Sequence, residues 1–160
     1  MEENTFSHLG ATGLPQMVDV SGKDRTKRKA QALAIVNPGK EILALIQGDE
    51  LITKKGGVFQ TAILAGVMGA KKTHELIPLC HPLFLEDCQV KISVRGDEIH
   101  IESEVTTTGK TGVEMEALTA VSVAALTLYD MCKALSHNIL ISSIRLLEKT
   151  GGKKDFKLPR

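Results

Sequence analysis

VEMEALTAVSVAALTLYDMCKALS, residues 113–136, is the stretch on which the fold turns. Within it Leu118, Val121, Ala125, Leu128, Cys132 and Leu135 recur at steps of three, four, three, four and three, which predicts one long helix with a continuous apolar seam. Just upstream, Val90, Ile92 and Val94 alternate with polar residues, Arg95-Gly96-Asp97-Glu98 reads as a turn, and Ile99, Ile101 and Ser103 alternate again. That is an antiparallel hairpin. Downstream, a final strand is expected at about residues 139–148.

Working back toward the amino end, residues 55–73 open with Gly-Gly and carry Phe59, Ala62, Ile63, Gly66, Val67 and Ala70 at three- and four-residue steps, a buried helix with small contacts. Ala30, Ala32, Ala34 and Val36 alternate as in a strand with one buried face. Asn37-Pro38 supplies a cap and a first-turn proline for a short helix with Ile42, Leu45 and Ile46 on one face, ended by Gly48. Pro78 and Pro82 should hold Leu79-Cys80-His81 rigid and non-helical. The order strand, helices, two strands, helix, strand is the ferredoxin-like, split βαβ plan: an α+β fold with an antiparallel sheet and its helices on one face.

The 160 residues suit one domain, and 20 Lys+Arg against 19 Asp+Glu leave a formal charge of +1. This balance counts against a general nucleic-acid binder. Aromatic residues make up 3%, too few for base-stacking platforms, and an RNA-binding module of this fold would carry aromatics on strands 90–94 and 99–104, where there are none. No membrane span is expected, because the apolar stretches 61–70 and 117–129 are short and interrupted by Ser, Thr or Gly. Residues 1–16 read as a mobile arm, 17–149 as a single domain and 150–160 as a flexible basic tail. Cys80, Cys88 and Cys132 lack paired spacing, and with no export signal at the amino end a reducing cytoplasm is the default.

Lys54-Lys55-Gly56-Gly57 stands at a predicted helix start, where free N–H groups and the helix dipole favour an anion; it reads equally as a phosphate site or as a solvated helix entrance. Thr108-Gly109-Lys110-Thr111-Gly112 is no P-loop, since Glu104 occupies the position that motif reserves for its first glycine. Asp130 and Lys133 are i,i+3 neighbours: either an ordinary exposed ion pair or a lysine oriented for proton transfer. Glu116 and Asp130 lie fourteen residues apart, roughly 21 Å along a helix. If both serve one small substrate, a neighbouring chain must complete the pocket. His81, framed by prolines, fits a substrate hydrogen bond or proton shuttle better than a metal, for which no ligand spacing is present.

Taken together, MVDVSGK (17–23), KKGGVFQTA (54–62), LIPLCHPL (76–83), TGKTGVEMEALTAVSVAALTLYDMCKA (108–134) and LLEKTGGK (146–153) resemble the cyclic pyranopterin monophosphate synthase, or MoaC, family of molybdenum cofactor biosynthesis. The resemblance implies a hexamer built as three dimers, active sites at subunit boundaries and no cofactor. It also implies a small-molecule substrate, 3′,8-cyclo-7,8-dihydro-GTP, supplied by an upstream radical enzyme and converted to a cyclic monophosphate with release of pyrophosphate. By resemblance, Lys55 and Lys133 form the central acid–base pair, converging from adjoining subunits, and Asp130 orients Lys133. His81, with Leu79 and Cys80 beside it, and Glu114-Met115-Glu116 hold the ring system and sugar, while Arg28 and Lys149 bind the phosphates. The rival from another class is a noncatalytic regulatory domain that binds a small metabolite.

Overall fold

The computed structural model describes residues 13–159. Eleven elements follow in order: β1 (Thr26–Asn37), α1 (Lys40–Leu43), β2 (Ile52–Thr53), β3 (Gly56–Gly57), α2 (Val58–Lys71), α3 (Thr73–Leu76), β4 (Asp87–Arg95), β5 (Glu98–Gly109), α4 (Glu114–Cys132), β6 (Leu140–Thr150) and β7 (Phe156–Lys157). Five strands form one sheet in the order β4-β5-β1-β6-β7, every neighbouring pair antiparallel. Setting aside the short β7, this is the ferredoxin-like arrangement expected from the element order.

The alternation in β1 decides which face is covered. Ala30, Ala32, Ala34 and Val36 are buried with Ile99, Ile101 and Val105 of β5 beneath α4, and α2 lies beside α4 over β4. The opposite face is mostly polar, with Leu33 and Ile35 among charged neighbours such as Lys29 paired to Glu104 and Arg95 to Glu102, each at 2.8 Å. β4 and β5 meet at Arg95 and Glu98 across the two-residue loop Gly96-Asp97, and Gly96 takes φ +61° as the first residue of such a tight turn requires.

α2 and α4 pack with little between them. A methyl group at Gly66 would stand 2.9 Å from the Ala120 carbonyl oxygen, and one at Gly69 would stand 2.7 Å from Val123 Cγ2. These two glycines let the helices approach closely, which seats the start of α2 beside the end of α4. The functional geometry below depends on that contact.

Three expectations, and the ground given for a fourth, need correction. α4 ends at Cys132, so Leu135 falls beyond it and is exposed; the apolar seam is one step shorter than predicted. α1 spans only four residues and starts after Gly39; Asn37 Oδ1 accepts the Gly39 N–H at 3.1 Å in a turn of its own, and Leu45 is exposed. α4 is long and apolar enough to cross a membrane by length and composition, its Ser and Thr notwithstanding; over half of it is buried here as the core helix. The Ser122 and Thr127 hydroxyls donate to carbonyls one turn back, which hides their polarity within the helix. Lastly, part of the presumed tail is β7, which pairs with β6 through Glu148–Lys157 and Lys149–Phe156. Of the presumed amino-terminal arm, residues 1–12 lie outside the described residues.

Gly66→Ala should lower the unfolding free energy by about 1–2 kcal/mol, because overpacking against a backbone carbonyl outweighs the roughly 1 kcal/mol gain in helix propensity. Urea denaturation reads this as a lower midpoint at unchanged slope. A stabilised variant would mean that the helices are not in close contact.

Candidate functional site

The residues singled out in the sequence gather at the two ends of α4. At its amino end lie two adjoining cavities of about 380 and 430 Å³. The first is lined by Leu79, Cys80 and His81 from the proline-framed segment and by Glu114, Met115 and Glu116 from the first turn of α4. Leu79 and Cys80 belong to a turn closed by the Cys80 N–H donating to the Ile77 carbonyl at 3.1 Å, the rigid segment that Pro78 and Pro82 predicted. The His81 ring is fixed by its Nε2–H, which donates to the Val18 carbonyl at 2.8 Å and leaves Nδ1 to face other partners.

Glu116 is 4% exposed. Burial, reinforced by the nearby Glu114 charge against a hydrogen bond from its own backbone, pushes its carboxyl up to about 7. A carboxyl so placed can hold or release a proton near neutrality. The Cys80 thiol is pushed up by burial and by Glu116, which disfavours its thiolate form.

The second cavity is lined by Lys23, Arg28, Lys110, Lys149 and Lys153, and Glu114 stands on the wall it shares with the first. Lys149 Nζ donates to Glu114 Oε1 at 2.9 Å, so one predicted phosphate ligand is tied to one predicted ring ligand. Arg28 Nη2 reaches the Lys110 carbonyl at 3.5 Å, and its buried Nε has no hydrogen-bond partner among the described residues. An unsatisfied buried guanidinium N–H beside several lysines suits a phosphate oxygen. Gly151, at φ +84°, could not carry a side chain, since a Cβ would stand on the Lys27 carbonyl oxygen; the Gly-Gly of the supposed tail thus packs the chain against the start of β1 next to Arg28. Sequence reasoning missed Lys23 and Lys110. Both sit in quoted motifs, but only the fold brings them to Arg28, 82 residues from Lys110 along the chain and adjacent in space.

At the other end of α4, Asp130 holds two ammonium groups. Lys133 Nζ lies 2.7 Å from Oδ1 and Lys55 Nζ 3.0 Å from Oδ2; Lys55 also donates to the Asp130 backbone carbonyl at 3.1 Å. Lys55 and Lys133 therefore meet within one chain, which corrects the expectation that they converge from adjoining subunits. The shared carboxylate is why: each ammonium group turns toward one of its two oxygens. Hydrogen bonds from Lys133 first, then Lys55, hold Asp130 below the usual carboxylate range, and Asp130 in turn raises Lys133. All three side chains are about half exposed. Glu116, turned into its cavity, does not share their solvent face.

The start of α2, read as a possible phosphate site, is already filled. Glu50 Oε1 accepts the N–H groups of Leu51 (2.8 Å) and Phe59 (2.7 Å), and Oε2 that of Gln60 (3.1 Å). Burial opposes this, yet those backbone donors keep the Glu50 carboxyl below its ordinary value. The chain supplies its own anion at this helix terminus. Among the described residues no group of three or more His, Cys, Asp or Glu side chains could hold a metal ion.

These features define a ferredoxin-like α+β protein with a cation-lined cavity at one end of its core helix and a lysine–aspartate–lysine cluster at the other. The chain belongs to the MoaC family, whose pattern it matches over residues 17–152. It is 48% identical to the cyclic pyranopterin monophosphate synthase of Peptoclostridium acidaminophilum over 92% of this chain and 93% of that one. It is 50% identical to the protein of the same name from Xanthomonas oryzae pv. oryzae, over 94% and 92% of the two chains. It is also 50% identical to molybdenum cofactor biosynthesis protein 1 of Drosophila melanogaster, over 95% of this chain but 27% of that longer one.

Asp130→Asn should leave the urea midpoint nearly unchanged, because the pairs are half exposed. It should nonetheless speed acylation of both Lys55 and Lys133 by an amine-reactive ester, read by peptide mass spectrometry. Unchanged labelling at both lysines would mean that the carboxylate does not hold them.

Proposed function

We propose that the chain is a cyclic pyranopterin monophosphate synthase, a lyase of molybdenum cofactor biosynthesis, acting on 3′,8-cyclo-7,8-dihydro-GTP. The observation that supports this most is the separation of labour along α4 in a MoaC-family chain. Cations and an unsatisfied guanidinium N–H stand at its amino end and a paired lysine cluster at its carboxyl end.

A triphosphate needs cations, and Arg28 and Lys149, joined by Lys23 and Lys110, bind it in the larger cavity. His81, Leu79, Cys80, Met115 and the two glutamates hold the ring system and sugar in the smaller one. Lys55 and Lys133 exchange protons with the substrate as its rings open and close, and Asp130 sets their positions. Closing a cyclic monophosphate from a triphosphate forms one bond from a substrate hydroxyl oxygen to the α-phosphorus. It breaks the bond to the bridging oxygen, and pyrophosphate leaves with that electron pair. Phosphate-bound cations stabilise the charge that moves to the leaving group.

The two ends of α4 are too far apart for one small substrate to touch both on one chain. The proposed assembly, three dimers in a hexamer, removes that difficulty if two copies of α4 run antiparallel across a two-fold axis. Glu114 and Asp130 lie equally far on either side of Ser122, so an axis beside Ser122 sets Glu114 of one copy level with Asp130 of the other. Glu114, and the cavity on whose wall it stands, would then face the cationic Lys55 and Lys133. Leu126, 61% exposed, and Met115, 37% exposed, offer the apolar surface such a contact needs. The pocket closed between two copies would keep out the water that now reaches the half-exposed lysines. The substrate comes from a radical enzyme upstream. The Drosophila relative, which carries a great deal of chain beyond the matched part, is in keeping with such coupling.

The purified protein incubated with the cyclised dihydro-GTP intermediate should release one pyrophosphate per substrate. Lys55→Ala and Lys133→Ala should each abolish turnover, a loss of at least about 10³-fold, while the oligomer stays folded by sedimentation and circular dichroism. Native turnover by either variant would refute these roles, and no pyrophosphate from the native protein would refute the function.

A further inference from the structure

Lys55 stands on a short loop that the structure ties down with unusual thoroughness. β2 and β3 pair Ile52 with Gly57 and Thr53 with Gly56, leaving Lys54-Lys55 as the tip. The Thr53 hydroxyl donates to the Gly56 carbonyl at 3.3 Å and accepts the Lys55 N–H at 3.2 Å, and the Val58 N–H donates to the Leu51 carbonyl at 2.9 Å. Across the base of this loop lies Glu50. Its carboxylate binds the chain where it enters, at Leu51, and where it leaves, at Phe59 and Gln60. The loop passes so close that a Cβ at Gly57 would stand 2.9 Å from Glu50 Oε2.

We infer that Glu50 is a positioning residue for Lys55: by clamping both ends of the loop to the first turn of α2, its carboxylate sets where the Lys55 ammonium meets Asp130. The geometry allows Glu50 no direct part in the chemistry, since both its oxygens are spent on backbone N–H groups of its own chain. The lysine depends on the loop for its place. Its side chain is half exposed, and an exposed ion pair alone is too weak to hold a flexible four-carbon stem in one geometry. The glycines fit this assignment. Gly56, at φ +106°, makes the turn, and Gly57 leaves room for the carboxylate. Catalytic groups lose rate steeply when displaced by about 1 Å. The inference rests on the proposed role of Lys55 for its consequence in turnover, and on the loop geometry alone for its consequence in the resting protein.

Glu50→Gln tests it, since the amide keeps the size of the side chain but presents an N–H₂ to at least one N–H that now donates to oxygen. In the resting protein without substrate, acylation of Lys55 by an amine-reactive ester should rise about fivefold or more while Lys133 stays within about twofold. With substrate, kcat should fall about tenfold at nearly unchanged KM. Lys55 labelling at the native rate in a folded variant would overturn the inference, whatever the turnover. Should every lysine become more reactive together, the variant has unfolded. Glu50→Asp, which keeps the charge and shortens the reach, then decides: a selective rise at Lys55 supports the inference, and native labelling overturns it. Because the labelling needs no substrate, failure of the synthase reading would show instead as a native protein that releases no pyrophosphate.

Discussion

The length of α4 governs this molecule. One uninterrupted helix of nineteen residues separates the cavity that can take phosphates from the carboxylate that holds two lysines. At 1.5 Å per residue the two groups stand more than about 20 Å apart, and no side-chain motion within one chain brings them together. The helix cannot bend to help, since it is buried against the sheet and locked to α2 at Gly66 and Gly69. Each end is incomplete: the cavity has cations but no paired acid–base lysines, and the lysine cluster lies half open to water. The proposed second copy of the chain would resolve both deficits at once.

Much of this architecture was legible in the sequence because it rests on periodicity. The two-residue alternation of Ala30, Ala32, Ala34 and Val36 and the three-four step from Leu118 to Cys132 each identify a buried face, and burial is what the fold enforces. Where burial no longer decides, the reading loosened. Leu135 continues the spacing of the helix but lies beyond it, since the Leu135 N–H already turns back to the Cys132 carbonyl at 2.8 Å. Leu45 was read as an inward face and is exposed, because α1 stops after one turn. Propensity could not foresee that Gly151 must be glycine, since the reason is a carbonyl on β1 more than a hundred residues away.

The candidate site divides along the same line. The motif strings contain Lys149, His81 and the residues about Glu114, the resemblance added Arg28 from outside them, and the fold gathers all of these around two adjoining cavities. Their pairing was hidden: nothing in the spacing says that Lys149 bonds Glu114 or that Lys55 and Lys133 share Asp130. The helix start at Gly56-Gly57 shows the opposite outcome. The free N–H groups that make such a terminus attractive to phosphate are there, but Glu50, a few residues upstream, has taken them. A local motif states what a backbone can bind, and tertiary structure decides whether the chain has already bound it.

The central claim is that each site is assembled from opposite ends of α4 in two chains. Subunit mixing tests it most directly: His81→Ala and Lys133→Ala proteins, each inactive, are unfolded together, refolded and assayed for pyrophosphate release. In a mixed dimer one site carries both substitutions and the other carries neither, so random pairing should restore about a quarter of native activity. If the mixture stays as inactive as its parts although mass spectrometry finds mixed dimers, the two ends do not meet across the subunit boundary and the account is wrong.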